Sequence, residues 1–383
     1  MSSVNEIPNG WTETTLGDVC KIKYGKDHKK LEDGDIPCYG SGGIMRYVDS
    51  ILYDKPSVLI PRKGTLSNLF FIDEPFWTVD TLFYTQIDES IIKSNYLYYK
   101  LKTYNLADLN VGSAVPSLTT AVLNQFPFSI PKDIEEQKAI ANILTAFDDK
   151  IENLQAQNKT LEQTAQTIFA AWFGKYQVGD ELPDGWRVGK ITELFEIRDG
   201  THDSPKQKKT GYKLITSKHL GNNRIKLEDA YLISEEDYIN VNKRSRVEQF
   251  DILVSMIGTI GLTYLEQNEL INYAIKNVAL FKTSQNKIFS IYSYLWLKSS
   301  FGKYFFETSK SGTTQEYISL KSFRGIELAI PNDKIINRFN DIVFNLFGKI
   351  KNNADQIQSL KKTRNTLLPK LMSGQLRVKM SEL

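Results

Sequence analysis

The sequence predicts an α+β protein in which two pseudo-repeated globular domains alternate with two long helices that form an antiparallel coiled coil. Three observations predict it. The chain repeats itself at half length, two stretches carry a coiled-coil stripe, and the segments between them read as short strands with brief helices.

The repeat decides the architecture. Pro8-Asn9-Gly10-Trp11 returns as Pro183-Asp184-Gly185-Trp186, 175 positions on. Phe128-Ser129-Ile130-Pro131-Lys132-Asp133 returns as Leu328-Ala329-Ile330-Pro331-Asn332-Asp333, 200 positions on. Fainter echoes join Arg62-Lys63-Gly64-Thr65 to Met256-Ile257-Gly258-Thr259, and Gly112 to Gly312. The drift from 175 to 200 gives the second domain about 25 extra residues. The expected order is a domain over 1–132, a helix over 133–173, a second domain over 174–332, and a helix with its tail over 333–383.

The helices carry the sharpest pattern. Ile140, Leu144, Phe147, Ile151, Leu154, Asn158, Leu161, Ala165, Ile168 and Trp172 alternate steps of four and three. Phe339, Val343, Leu346, Ile350, Asn353, Ile357, Leu360, Arg364, Leu367 and Leu371 do the same. This is a coiled-coil seam of more than four heptads. Such a stretch of 33 residues makes a rod of roughly 50 Å. Asp133 and Glu136 have the spacing of a capping box, and Gly174 and Ser373-Gly374 close the two helices. Pro369 is expected to kink or end the second near Leu368. Asn158 and Asn353 are polar seam residues of the kind that fix register; Arg364 is either that or a solvated break. The intervening domain permits either orientation, and the pseudo-two-fold repeat favours antiparallel.

Between the helices the strand signals are short. Thr15–Val19, Ser57–Pro61 and Asp80–Tyr84 read as strands in the first domain, and Asn95–Thr103 as a helix. In the second, Gly189–Leu194, Asp251–Ser255 and Asn277–Phe281 read as strands and Ile291–Ser299 as a helix.

Several function classes fall away. An apolar share of 41% and 11% aromatics suit folded cores rather than disorder. No run of eighteen apolar residues occurs, so no membrane span is expected, and Met1–Asn9 lacks the apolar core of a secretory signal. Cys20 and Cys38 make neither a disulfide framework nor a Cys-rich zinc site, which suits the cytoplasm. His202-Asp203-Ser204 contains the letters of a catalytic triad, but triad members converge from separate segments, so these read as a loop. No nucleotide cradle, HExxH, CxxC pair or Asn/Asp-Pro-Pro-aromatic methyltransferase tetrapeptide appears. No catalytic residue, metal site or cofactor is expected in this chain.

What remains suits binding. The net charge of +3 is small, but it hides local clusters. Lys21 to Lys30 carries +4, Asp203 to Lys226 carries +6, and Lys243, Arg244 and Arg246 form a third knot. DNA phosphates are held by Lys, Arg and backbone N–H groups, while base edges are read by Arg, Lys, Asn and Gln. The candidates are Lys26, Lys29, Lys30, Arg46, Arg62, Lys63, Lys206, Lys208, Lys209, Lys218, Arg224, Lys243, Arg244, Arg246 and Gln315. For any one of them an ordinary solvated surface is the simpler reading, and only the clustering favours DNA. Gly40-Ser41-Gly42-Gly43 reads as a tight turn or as a close backbone approach to phosphate.

Taken together, these segments resemble the specificity subunits of type I restriction-modification systems over nearly the full length. Ile130-Pro131 running into Glu135–Ile140 and ending Ile168–Phe173 is similar to the family's central spacer helix. Leu367–Val378 is similar to its C-terminal one, and the Pro-Asn/Asp-Gly-Trp openings to its domain starts. The resemblance implies two target recognition domains, each reading half of a split double-stranded DNA site. It implies a coiled coil that sets the gap and docks two modification (methyltransferase) subunits, with restriction (motor-nuclease) subunits joining. S-adenosylmethionine, ATP and magnesium would belong to those partners. The recognition subunit of a related fused restriction-methylase (type IIB/IIG-like) is the alternative. The Arg-Lys-Gly-Thr stretch becomes Met-Ile-Gly-Thr in the second domain, so a base-reading role there does not transfer between halves.

Overall fold

The computed structural model describes residues 7–110, 116–221 and 223–378. Gly112, Met1–Glu6 and the last five positions lie outside them. The chain divides into two compact units, Met1–Leu154 with Gln356–Leu383, and Gln155–Asp355. The division falls within both long helices.

In the first unit the strands are β1 (Trp11–Thr15), β2 (Cys20–Tyr24), β3 (Ile36–Gly40), β4 (Gly43–Val48), β5 (Ser57–Pro61), β6 (Phe70–Ile72), β7 (Trp77–Thr78), β8 (Leu82–Ile87) and β9 (Pro127–Pro131). They form a sheet of order β2-β8-β5-β6, a sheet of order β4-β3-β7 and the pair β1-β9. β5 is buried on both faces, which explains its unbroken apolar run. Val58 and Ile60 face a core with Trp11, Phe83 and Tyr96; Leu59 faces another with Tyr39, Phe76 and Tyr84. The helices are α1 (Leu16–Val19), α2 (Ser94–Lys102) and α3 (Thr120–Asn124), and then α4 (Ile134–Phe173) begins.

The second unit repeats this plan. Its strands are β10 (Arg187–Lys190), β11 (Ile197–Asp199), β12 (Tyr212–Ile215), β13 (Leu220–Gly221), β14 (Arg224–Ile225), β15 (Leu232–Ile233), β16 (Ile252–Ser255), β17 (Thr263–Leu265), β18 (Tyr273–Ile275), β19 (Val278–Phe281) and β20 (Glu327–Ile330). The order β11-β19-β16-β17 matches β2-β8-β5-β6, and β15-β12-β18 matches β4-β3-β7, with one parallel pair in each. Helices α5 (Glu235–Ser245), α6 (Ser290–Lys298), α7 (Ser300–Thr308) and α8 (Leu320–Arg324) precede α9 (Asp333–Met372). Strand pairing locates the extra residues. The offset is 175 at Tyr24 and Asp199, 194 at Ile60 and Val254, and 200 at Phe128 and Leu328. Most of the insertion therefore lies between β12 and β16, where the β13-β14 hairpin and α5 stand.

The repeated motifs turn out to clasp each other. β1 pairs antiparallel with β9, and β10 with β20, so each domain's entry lies against its exit. Gly10 (φ +82°) and Gly185 (φ +78°) sit where the chain turns left-handed, and the next N–H groups, of Trp11 and Trp186, close the turns on Pro8 and Pro183 at 3.0 Å. A type II turn needs glycine there.

The helices pair antiparallel within each unit. In the first, Ile140 and Leu144 of α4 share a core with Leu371 and Met372 of α9, and Leu367 packs against it. In the second, Phe169 and Phe173 share a core with Phe339 and Val343, with Ile168, Leu346 and Ile350 packed against it. Ile151 and Leu154 are buried, while Phe147, Leu161, Ile357 and Leu360 are half-buried. The polar seam residues find partners. Asn353 Nδ2 donates to Asn158 Oδ1 at 2.8 Å, and Asn158 Nδ2 to the Ile350 carbonyl at 3.3 Å. Arg364 pairs with Asp148, which also accepts from the Tyr99 hydroxyl at 2.8 Å, so it is no solvated break.

Three local expectations are corrected. Thr15–Val19 is not a strand: β1 ends at Thr15, whose hydroxyl caps Asp18 N–H while the Asp18 carboxylate takes Thr15 N–H, starting α1. Gly189–Leu194 behaves likewise, β10 giving way to a 3₁₀ turn at Ile191–Glu193. Pro369 does not end α9, which runs on to Met372. Burial of Leu371 and Met372 and the 2.6 Å bond from Lys100 Nζ to the Met372 carbonyl outweigh the one backbone bond a late proline removes. Asp133 does cap, accepting from Glu135 N–H at 2.9 Å. Glu136 instead turns to Arg377, with bonds of 2.8 and 2.9 Å, and to Trp11 Nε1. Among the described residues no helix is long and apolar enough to cross a membrane.

Candidate nucleic-acid interface

In each domain the loops following equivalent strands gather at one end of the sheets. In the first, the loop after β2 is tied in by Gly25 N–H to Leu82 O and Lys26 N–H to Thr78 O. The Ser41-Gly42 turn between β3 and β4 accepts from Asn68 Nδ2 at 3.1 Å. The loop after β5 is held by Arg62 N–H to Thr81 O and Gly64 N–H to Pro116 O. Asp27, His28, Lys29, Gly40–Gly42, Met45 and Val79–Thr81 line a cleft of about 730 Å³ among these loops.

The candidates in this domain have different surroundings. Lys26, Lys29, Lys30 and Lys63 are exposed. Arg62 is half-buried, its guanidinium 5.3 Å from the Tyr24 ring centre and its Nη1 3.0 Å from the Asp80 carbonyl. Arg46 donates to Asp33 at 2.7 Å and to the Leu31 carbonyl at 3.1 Å, stapling the β2–β3 loop to β4.

In the second domain the matching loops carry more charge. Lys206, Lys208 and Lys209 are exposed in the loop after β11, and Lys218 in that after β12. His202 bridges Asp199 and Asn277 at 2.9 Å to each, which gives this residue a loop-bracing role. Burial and the neighbouring Lys218 push the His219 imidazole down from its ordinary value. Gln315 is exposed in a loop anchored by the mutual Ser311 and Tyr317 backbone bonds, beside the Gly258 turn.

Other candidates lie on the inserted stretch. Arg224 is exposed on the β13-β14 hairpin, whose Asn223 accepts from Lys298 Nζ at 2.6 Å, tying the hairpin to α6. Lys243 donates to Asn240, Arg244 pairs with Asp199, and the Arg246 carbonyl accepts from the buried Lys282. The sequence reading missed Tyr24, Asp80, Asp199 and Asn277, the residues that hold these basic groups. Of the four, only Tyr24 and Asp199 carry a local mark, the glycines Gly25 and Gly200 that follow them. Among the described residues no group of three or more His, Cys, Asp and Glu side chains could hold a metal ion. Burial pushes the Cys20 thiol up to about 12.

The sequence matches the type I restriction modification DNA specificity domain twice, over residues 8–163 and 183–362. The chain belongs to that family. Its specificity-subunit character is repeated in curated relatives. The MjaIX specificity subunit of Methanocaldococcus jannaschii is 25% identical, covering 98% of this chain and 96% of its own. The MjaVIII specificity subunit of the same organism is 22% identical, covering 97% and 94%. Among solved structures, the S subunit of a type I system from M. genitalium shares the fold, with a TM-score of 0.61 at 17% identity over 97% of this chain and 98% of its own. The specificity subunit thus carries two target recognition domains of one α+β design, with long helices paired antiparallel.

Proposed function

We propose that each domain of this specificity subunit reads one half of an asymmetric, bipartite double-stranded DNA site through the loop cluster described above. The observation that carries the reading is that one fold occurs twice with unlike loops at the equivalent end. Two unlike readers imply two unlike half-sites, where a homodimer would read a palindrome. The paired helices set the unread gap. At 40 residues each they span about 60 Å, more than one DNA turn of about 34 Å. Their outer faces dock two modification subunits, and motor-nuclease subunits join these in the cytoplasm. The chain itself is non-catalytic. S-adenosylmethionine, ATP and magnesium act on the partners, which extrude the target adenine. A net charge of +3 makes binding by the subunit alone weak, and partners that enclose DNA supply further phosphate contacts. The type I family match favours a free subunit over the fused restriction-methylase.

The test is replacement of residues 1–130 by the first domain of another specificity subunit, followed by methylome sequencing with the partners present. One half of the methylated motif should change and the other should stay. A change in both halves would sink the modular reading.

A further inference from the structure

One place in the fold is filled by a guanidinium in both domains, delivered by different elements. Tyr24 and Asp199 are equivalent: each ends its strand and precedes a glycine whose N–H bonds an equivalent carbonyl, Leu82 O for Gly25 and Val278 O for Gly200. No side chain fits at either glycine, since an added Cβ would lie 2.1 Å from Val79 O or 2.4 Å from Ile275 O. Tyr24 pairs with Phe83 and Asp199 with Ala279, and both partners belong to the core on the side of the long helices. The two side chains therefore leave the same face of the same sheet.

In the first domain Arg62, from the end of β5, lies over Tyr24. The ring is itself fixed edge-on against buried Phe83, at 5.0 Å. In the second domain the position of Arg62 holds Met256, which is buried in the core. The guanidinium comes instead from Arg244 on α5, within the stretch the first domain lacks, and it pairs with Asp199. Asp199 is buried and so a fixed anchor. Each arginine is held along one edge only. Among the described residues nothing else binds Nη2 or Nε of Arg62, or Nη1 or Nε of Arg244, and their side chains are 29% and 63% exposed.

We infer that Arg62 and Arg244 are specificity-determining residues, each reading a guanine in the half-site of its own domain. The inference rests on the half-site reading above. A guanidinium presents paired donors matching guanine O6 and N7 in the major groove, the commonest specific base contact. One anchored beforehand loses less freedom on binding. Among the described residues, the exposed Lys26, Lys29, Lys30, Lys206, Lys208, Lys209 and Lys218 of the surrounding loops show no such anchors and suit phosphates, which carry no sequence information. Tyr24 and Asp199 are positioning residues.

The test is methylome mapping of cells carrying each variant with its modification partner, beside binding to duplexes changed at one base pair. Arg62→Lys and Arg62→Ala should each cost roughly five- to 150-fold in discrimination at one G·C pair of one half-site, and the Arg244 variants the same in the other. Tyr24→Ala should relax the same pair as Arg62→Ala, and Tyr24→Phe should restore it. Asp199→Ala should relax the same pair as the Arg244 variants. Lys29→Ala should instead weaken binding to all sequences alike and flatten its salt dependence. Co-purification of each variant with the partner establishes that it folds. If the arginine variants lose affinity uniformly and keep the motif, the arginines are phosphate contacts and this inference is wrong, while the half-site reading stands. If the wild type methylates no bipartite motif, the half-site reading itself fails.

Discussion

Consider the removal of Arg377 from the tail. It donates to both oxygens of Glu136, at 2.8 and 2.9 Å, and to the Asn9 carbonyl at 2.8 Å. The two partners differ in exposure: the Glu136 side chain is 8% exposed and that of Arg377 is 45%. Glu136→Ala frees a half-exposed guanidinium, which water can re-solvate, and it leaves Trp11 Nε1 unpaired. Arg377→Ala strands a nearly buried carboxylate with only the 3.4 Å bond from Trp11. Hydrogen bonds to charged groups contribute about 1.5–3 kcal/mol each, less where exposed. We therefore expect Arg377→Ala to cost about 2–4 kcal/mol and Glu136→Ala about 1–2 kcal/mol, with the double variant near the milder single one, because a stranded charge is costlier than an absent pair. Thermal unfolding of the four proteins in one buffer reads this as a coupling energy. Equal losses in the single variants that simply add in the double would refute the reasoning.

Three further outcomes follow from particular residues. Lys100 is buried between the Trp11 and Tyr104 rings, and desolvation lowers its pKa from 10.5 to about 8. The unfolded chain then binds more protons between those values, so stability rises with pH there, by roughly 1.5 kcal/mol from pH 8 to 9.5. Denaturant melts should show that rise in the wild type and lose it in Lys100→Met; an unchanged slope in the variant would assign it elsewhere. Asn353→Leu should cost about 1–2 kcal/mol by taking the donor from Asn158 Oδ1, whereas Asn158→Leu with Asn353→Leu should stabilise but admit alternative registers, visible as mixed species in native mass spectrometry. A single variant as stable as the double speaks against a register role. Deleting one heptad from each helix shortens each by about 10 Å, which should narrow the gap in the methylated motif by about three base pairs and leave both half-sites intact. Altered half-sites across an unchanged gap would contradict the spacing role.

The features legible in the sequence were those with a period or a forced backbone. Steps of four and three located α4 and α9, and the repeated Pro-Asn/Asp-Gly-Trp marked the two domain openings, where the structure puts Gly10 and Gly185 in left-handed turns. Other features depend on contacts distant in sequence. Nothing local to Glu136 says that Arg377, 241 positions on, will claim it in place of a capping box. Pro369 carries a helix-ending signal that burial of Leu371 and Met372 overrides. The alternation through Thr15–Val19 suits a strand, and one reciprocal side-chain cap turns it into α1. The basic clusters were visible as charge, but Arg46 and Arg62 look alike in the sequence. One is bound to Asp33 and the other lies over Tyr24, and only the tertiary structure separates them.

The clasp formed by β1 with β9, and by β10 with β20, makes each domain a cassette. Its first and last strands are hydrogen-bonded neighbours, so a foreign segment need only bring matching end strands to be accepted without rebuilding the helices. The Pro-Asn/Asp-Gly-Trp and Ile-Pro borders are where an exchanged segment would have to join. On the half-site reading proposed above, exchange of one domain at these borders would alter one half of the target and leave the other domain's clasp intact.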